Sequence, residues 1–146
     1  MDLTKTYPAS VRETMHGIVQ LKRTIDKGKA QAQGTNGEYN YDCPMDKHLF
    51  EFLGLDGGAL LAAIKSANND AEISEFVAPY VHAKKAAEIE TFNREWPKHS
   101  PEKGSPGEGY FLKLRGEVAP DRTDVTTWAD LLDLDEKRSV PQRVAA

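Results

Sequence analysis

Apolar residues recur along this chain mostly at helical rather than strand spacing. Val11, Met15, Ile18, Val19 and Ile25, with Leu21 beside them, make one stripe. Ser10-Val11-Arg12-Glu13 opens it as a capping box, the serine oxygen accepting from backbone amides and the glutamate reaching back. Lys27, Lys29 and Gly34 suit its far end. The spacing predicts a first helix over 11–32. Asn36-Gly37 is a turn signal. Beyond it Tyr39 and Tyr41 alternate with polar residues, which predicts a short extended segment before the second helix with both rings on one side.

Pro44 starts that second helix, since its missing N–H is not needed at the first helical position. Cys43 is the natural cap, because a residue before proline avoids the helical region. Asp46 then falls in the first turn, where negative charge is favoured. Met45, Leu49, Phe52 and Leu53 share a face, and Gly54 ends the helix. Asp56 caps a third helix with Leu60, Leu61, Ile64 and Ala67 inward, and Asn68-Asn69-Asp70 breaks it. Ile73, Phe76, Val77, Tyr80 and Val81 open a fourth helical region over 71–96, which Ile89, Phe92 and Trp96 continue. Pro79 must kink or split it.

Prolines and glycines predict a flexible loop over 97–109. Residues 110–118 fit a helix through Phe111, Leu114 and Val118, or a strand through Tyr110, Leu112 and Leu114, and the helical surroundings favour helix. Thr126 or Thr127 caps a last helix carrying Trp128, Leu131, Leu132 and Leu134, and 137–146 read as a frayed tail. The expected fold is all-α: one compact domain over 1–146 with about five or six helices.

A length of 146 residues fits one domain and buries about 68–70% of the unfolded surface without disulfides or metal. The net charge is −4, with a pI of about 5.6. No stretch is strongly basic, so a nucleic-acid partner is not expected. One cysteine cannot close an internal disulfide and suits a reducing compartment. Met1-Asp2-Leu3-Thr4-Lys5 lacks the apolar core of a leader, and no apolar run nears the about 20 residues of a membrane span. A cytoplasmic protein without membrane contact is the expectation.

Chemically capable side chains concentrate between Gly37 and Gly54. Cys43 sits at a helix start, where exposed amides favour a thiolate, while Asp42 and Asp46 oppose it. His48 lies about 140° round the helix from the thiol, poorly placed to pair with it. Asp42, Cys43, Asp46 and His48 match no zinc spacing, and His16, His82 and His99 are scattered, so no metal is expected. The run Asp130-Leu131-Leu132-Asp133-Leu134-Asp135-Glu136 lacks the glycine of a calcium loop and reads as a helix with a solvated acidic face. No phosphate-loop or dinucleotide motif is present, and Gly57-Gly58 reads as a turn. No cofactor is expected. Tyr39, Tyr41, Trp96 and Trp128 are candidate pocket aromatics, with Arg12, Arg23 or Lys27 supplying charge.

Several stretches together resemble a known family. Asp2-Leu3-Thr4-Lys5, Tyr7-Pro8 with Ser10-Val11-Arg12, Thr24-Ile25-Asp26-Lys27, Tyr41-Asp42-Cys43-Pro44 with Phe52-Leu53-Gly54, and Thr127-Trp128 with Asp130-Leu131-Leu132-Asp133 look like the bacterial family called domain of unknown function five-zero-six-nine. The resemblance covers nearly the whole chain and implies one compact domain. It supplies no activity, so no residue role is carried over.

The leading expectation is a non-enzymatic module that binds a small molecule or a protein in a cleft near Tyr39, Tyr41, Asp42, Cys43, Asp46 and Lys27. The alternative is an enzyme with Cys43 as nucleophilic or redox thiol, its base drawn from His16, His82 or Lys27. A homo-oligomer joined through the first or fourth helix is a third reading.

Overall fold

The chain turns back on itself before its first helix. In the computed structural model, which describes residues 1–144, His16 and Gly17 both take left-handed backbone angles (φ 53° and 77°). They join β1 (Thr14–Met15) to β2 (Ile18–Val19) as an antiparallel hairpin, Thr14 opposite Val19 and Met15 opposite Ile18. A two-residue loop of that hand matches the twist of paired strands. Gln20 is also left-handed (φ 73°), so α1 starts only at Leu21 and runs to Ala32. The expected helix over 11–32 is therefore corrected at its front. Val11, Ile18, Val19, Leu21 and Ile25 are all buried as the stripe required, but two elements deliver them. Ser10 caps nothing there; its hydroxyl donates to Asp133 (2.7 Å) and accepts from the Arg12 amide (3.2 Å).

Residues 35–43 are irregular turns rather than an extended strand, and Asp42 is left-handed (φ 63°). The segment expected before the second helix thus lies instead in the hairpin before α1. α2 (Pro44–Leu53) begins at its proline and ends at Gly54 in a left-handed cap. α3 (Gly57–Ser66) is capped by Asp56, whose side chain accepts from the Ala59 amide (2.9 Å). α1 and α3 meet closely at Gly28, where a Cβ would stand 2.7 Å from Ile64 Cδ1.

α4 (Asp70–His82) is capped by Asn69, and it holds Pro79 inside, on an exposed position. The expected split comes later, at residues 83–85, where Glu88 accepts from the Lys85 amide to open α5 (Ala86–Glu95). A 3-10 turn, Trp96–Lys98, follows. α6 (Pro106–Val118) is helical as favoured, and starts before the expected loop over 97–109 ends, because Ser105 caps it. α7 (Trp128–Asp135) is capped by Thr127. Seven α-helices among the described residues exceed the expected five or six, and the fold is a mostly helical single compact domain.

The main core centres on Val11, Leu21, Leu49, Leu60, Val77 and Trp96. A second cluster joins Phe111, Val125 and Leu131, with Trp128 packed against it. The stretch 137–144 is not wholly frayed: Val140 is buried, and Arg143 holds Asp130 through two nitrogens at 2.9 Å. Residues 145–146 of that expected tail lie outside the described residues. Among the described residues no helix is long and apolar enough to cross a membrane.

Candidate functional site

The junction ahead of α2 is organised around a carboxylate with no exposed surface. Asp46 has 0% relative exposure. Its Oδ1 accepts from Thr24 Oγ1 (2.6 Å) and Gln20 Nε2 (3.1 Å). Its Oδ2 accepts from Lys27 Nζ (2.8 Å) and from the amides of Asp42 (3.0 Å) and Cys43 (3.4 Å). The ammonium of Lys27, itself buried, also donates to the Asn40 carbonyl (3.1 Å) and to Cys43 Sγ (3.2 Å). A buried ion pair persists only when its remaining donors and acceptors are met, and among the described residues no buried side-chain N or O atom lacks a partner.

The six candidates named from the sequence are therefore brought together only in part. Lys27, Asp42, Cys43 and Asp46 cluster; the tyrosines diverge. Tyr41 is buried, its ring against Gly28 and its hydroxyl donating to the Gly57 carbonyl (2.7 Å). Tyr39 turns to the other side, donating to Glu136 (3.1 Å) beneath the Arg23 guanidinium, 5.7 Å from its ring centroid. Burial, then nearby carboxylates, push both phenols well above the usual tyrosine value. The rings do not share a side, as expected from alternation, because the turns at 37–42 rotate the backbone between them. Tyr41 and Asp46 are buried while Tyr39 and Cys43 are half-buried, so the two tyrosines do not line one cleft with the end of the first helix.

Asp42 does border an open depression of about 440 Å³ beside Gly57 and Gly58. Glu51, Asp56 and Lys47 stand with it, Lys47 paired with Asp42 at 3.2 Å. The four donors weighed for metal do not converge, since Asp46 points inward and His48 lies against Trp96. Among the described residues no group of three or more His, Cys, Asp or Glu is placed to hold a metal ion.

The histidines that looked scattered meet in two pairs. His16 and His82 stand 5.8 Å apart edge to face, and His16 Nε2 lies 2.9 Å from Ser74 Oγ. His48 and His99 both stack on Trp96, at 4.5 and 4.9 Å between centroids, and lie 6.0 Å from each other. Were the indole sandwiched between them, stacking distances would add, so both imidazoles tile one face of it. Phe92 continues the stack at 5.9 Å from Trp96, and Phe52 lies 4.5 Å beyond Phe92. This ladder floors a groove of about 630 Å³ between α2 and α5, open to solvent, with Glu88, Thr91 and Glu95 along its α5 side. Burial, and then His48, push the His99 imidazole below its ordinary value. Trp96 Nε1 donates to Gln20 Oε1 (3.2 Å), so one amide links the groove floor to the Asp46 hub.

Trp96 and His48 stand out in the sequence, but neither their association nor the groove does. Period-4 spacing of His48 and Phe52 on α2 and of Glu88, Phe92 and Trp96 along α5 and the turn after it was the only available signal. Trp128 lies elsewhere, 5.0 Å from Phe111.

The acidic run on α7 is corrected as well. Asp130, Asp133 and Glu136 are buried, not solvated. Arg12 bridges Asp130 (2.7 Å) and Asp133 (3.0 Å), and Arg23 grips Glu136 with both terminal nitrogens (2.8 and 2.7 Å). Burial raises the Asp130 carboxyl, but hydrogen bonds from Arg143 and Arg12 outweigh it and hold the group below the usual carboxylate range.

A family model described as Domain of unknown function (DUF5069) matches residues 5–138. No curated protein matches the chain.

Proposed function

The chain belongs to the DUF5069 family, whose description names no activity, and we propose that it is a non-enzymatic binding module with its ligand in the groove between α2 and α5. One observation carries this reading: a ladder of five aromatic side chains floors an open depression of about 630 Å³. Small-molecule sites fall at about 300–1,000 Å³ and combine apolar lining with a few polar groups. The groove begins one turn beyond the Cys43-Pro44 junction, so the hub of Asp46 and Lys27 acts as its support, fixing the start of α2 and, through Gln20, the indole of Trp96. A fragment screen on isotope-labelled protein tests this. Hits should move the amides of residues 48–52 and 88–99 and the Trp96 indole N–H. Hits that cluster at the Asp42 and Gly57 depression, or no hits at all, overturn it.

One contact favours a second reading, thiol chemistry at Cys43. Lys27 Nζ donates to the sulfur at 3.2 Å, and Cys43 is half-buried rather than sealed. Of the three bases considered, Lys27 is the one in contact; His16 and His82 pair with each other beside Ser74. Native-state alkylation of Cys43 should then be fast and should slow in Lys27→Met. A thiol that reacts only after unfolding removes this reading. Association through the first helix is disfavoured, because α1 is buried along Arg23–Gly28.

A further inference from the structure

We infer that the imidazoles of His48 and His99 are an acid-opened cover over Trp96: both stack on the indole while uncharged, and when both take up a proton His99 swings off and bares the ring face to the groove. Such a cover would regulate the site proposed above, and what the opened face admits rests on that reading.

The indole is a covered ring. Trp96 is only 5% exposed, with His48 at 4.5 Å, His99 at 4.9 Å and Phe92 at 5.9 Å between centroids. Two of these three neighbours are histidines, the side chain that ordinarily gains its charge between about pH 5 and 8, and both are exposed. One imidazolium over the indole is attracted by the ring face. Two of them, 6.0 Å apart, repel, and they stand inside the screening length of about 8 Å at physiological salt. The second proton is therefore the one that parts them.

The other charges nearby do not offset this repulsion. From α5, Glu88 and Glu95 line the groove, but Glu88 holds the Lys85 amide and Glu95 holds Arg94. From α7, Trp128 gives its amide to the His99 carbonyl (3.1 Å), and the first-turn carboxylate of Asp130 is taken up by Arg12 and Arg143. On α2, Lys47 is paired with Asp42, and Glu51 borders the other depression. Lys98 precedes His99 and adds a positive charge. Burial, and then His48, accordingly set the His99 imidazole below its ordinary value. The stacked state thus binds the proton more weakly than the displaced one, and opening grows as pH falls through the ordinary histidine value towards the lowered one.

His99 is the member that can move. His48 is held inside α2, whereas His99 follows the 3-10 turn in extended backbone. Its amide donates to the Trp96 carbonyl (3.0 Å) and its own carbonyl accepts from Trp128 (3.1 Å), so the main chain stays in place and the side chain alone rotates.

The test follows the full chain from about pH 7.5 to about pH 5. Trp128→Phe leaves Trp96 as the sole tryptophan, and acrylamide, small and uncharged, reports access to its ring by lifetime quenching. The quenching constant should rise at least about threefold across that range with unchanged circular dichroism. It should stay low and flat in His99→Phe, which stacks but cannot charge. In isotope-labelled protein with Trp128 intact, the His99 ring should take its proton at higher pH in His48→Phe than in the parent. A quenching constant that does not change with pH overturns the inference, as does a rise that survives in His99→Phe or that accompanies loss of helix. A His99 titration unmoved in His48→Phe overturns the pairing on its own. None of these readouts uses a groove ligand, so their failure leaves the groove reading to the fragment screen, and failure of the screen leaves the cover standing.

Discussion

Asp46→Asn removes one charge and almost no volume, yet it should be among the most damaging single substitutions in this protein. Five donors converge on the two oxygens of Asp46. An asparagine keeps one oxygen. If it faces Thr24 and Gln20, its amide group points at the Lys27 ammonium and two backbone N–H groups. If it faces Lys27, the amide group meets the hydroxyl and amide of the other side. Either way Lys27, 4% exposed, loses its counter-charge. Breaking a buried pair from one side costs about 3–5 kcal/mol, against a total stability of about 5–15 kcal/mol. Urea unfolding followed by circular dichroism should give a lower midpoint at unchanged slope, the drop multiplied by the slope matching that loss, and a melting temperature lower by about 6–20 °C. Lys27→Met in the same background should cost at least about 1–2 kcal/mol less than the two single losses summed, because the stranded charge is gone. A loss below about 1 kcal/mol for Asp46→Asn would refute the reasoning and mean that water reaches the hub.

Two further outcomes follow from close packing and from charge. Gly28→Ala places a Cβ 2.7 Å from Ile64 Cδ1 and 3.2 Å from the Tyr41 ring; overpacking of about 1–3 kcal/mol should outweigh the about 1 kcal/mol gained in helix propensity, and Ile64→Val should restore part of the loss in the same denaturation assay. Asp130 has a carboxyl lowered in the folded state, so its stabilisation is present above the unfolded carboxylate value and is lost as pH falls through the lowered folded one. Stability measured from about pH 5 downward should therefore fall less steeply in Asp130→Asn than in the parent below about pH 4, and parallel curves would remove the assignment.

Signals carried by neighbouring residues were legible in the sequence. Pro44, Gly54, Asp56 and Thr127 each mark a helix end where the structure has it, because capping chemistry acts within a turn. The start of α1 was not legible. A capping box and an apolar stripe pointed to Ser10, but a His-Gly turn and a left-handed Gln20 override them, since the hairpin buries Ile18 and Val19 against the core from another direction. The acidic face of α7 was misjudged because its partners lie far along the chain: Arg12 to Asp133 spans 121 positions and Arg23 to Glu136 spans 113. The site was half legible. Proximity along the chain grouped Asp42, Cys43 and Asp46, with Lys27 named only as a source of charge, but whether a polar cluster faces water or itself depends on tertiary packing. The groove was invisible because α2, α5 and the turn after α5 each contribute only one or two of its rings.

The same long reach of Arg12 and Arg23 bears on how the protein emerges during synthesis. Both arginines leave the ribosome early, and the carboxylates they need are more than a hundred residues behind. At about 5–20 residues per second that interval is about 5–25 s. Throughout it Arg23 lacks its carboxylate, whereas Lys27 on the same helix has Asp46 within nineteen residues. The two buried ion pairs of α1 are therefore completed at opposite ends of synthesis.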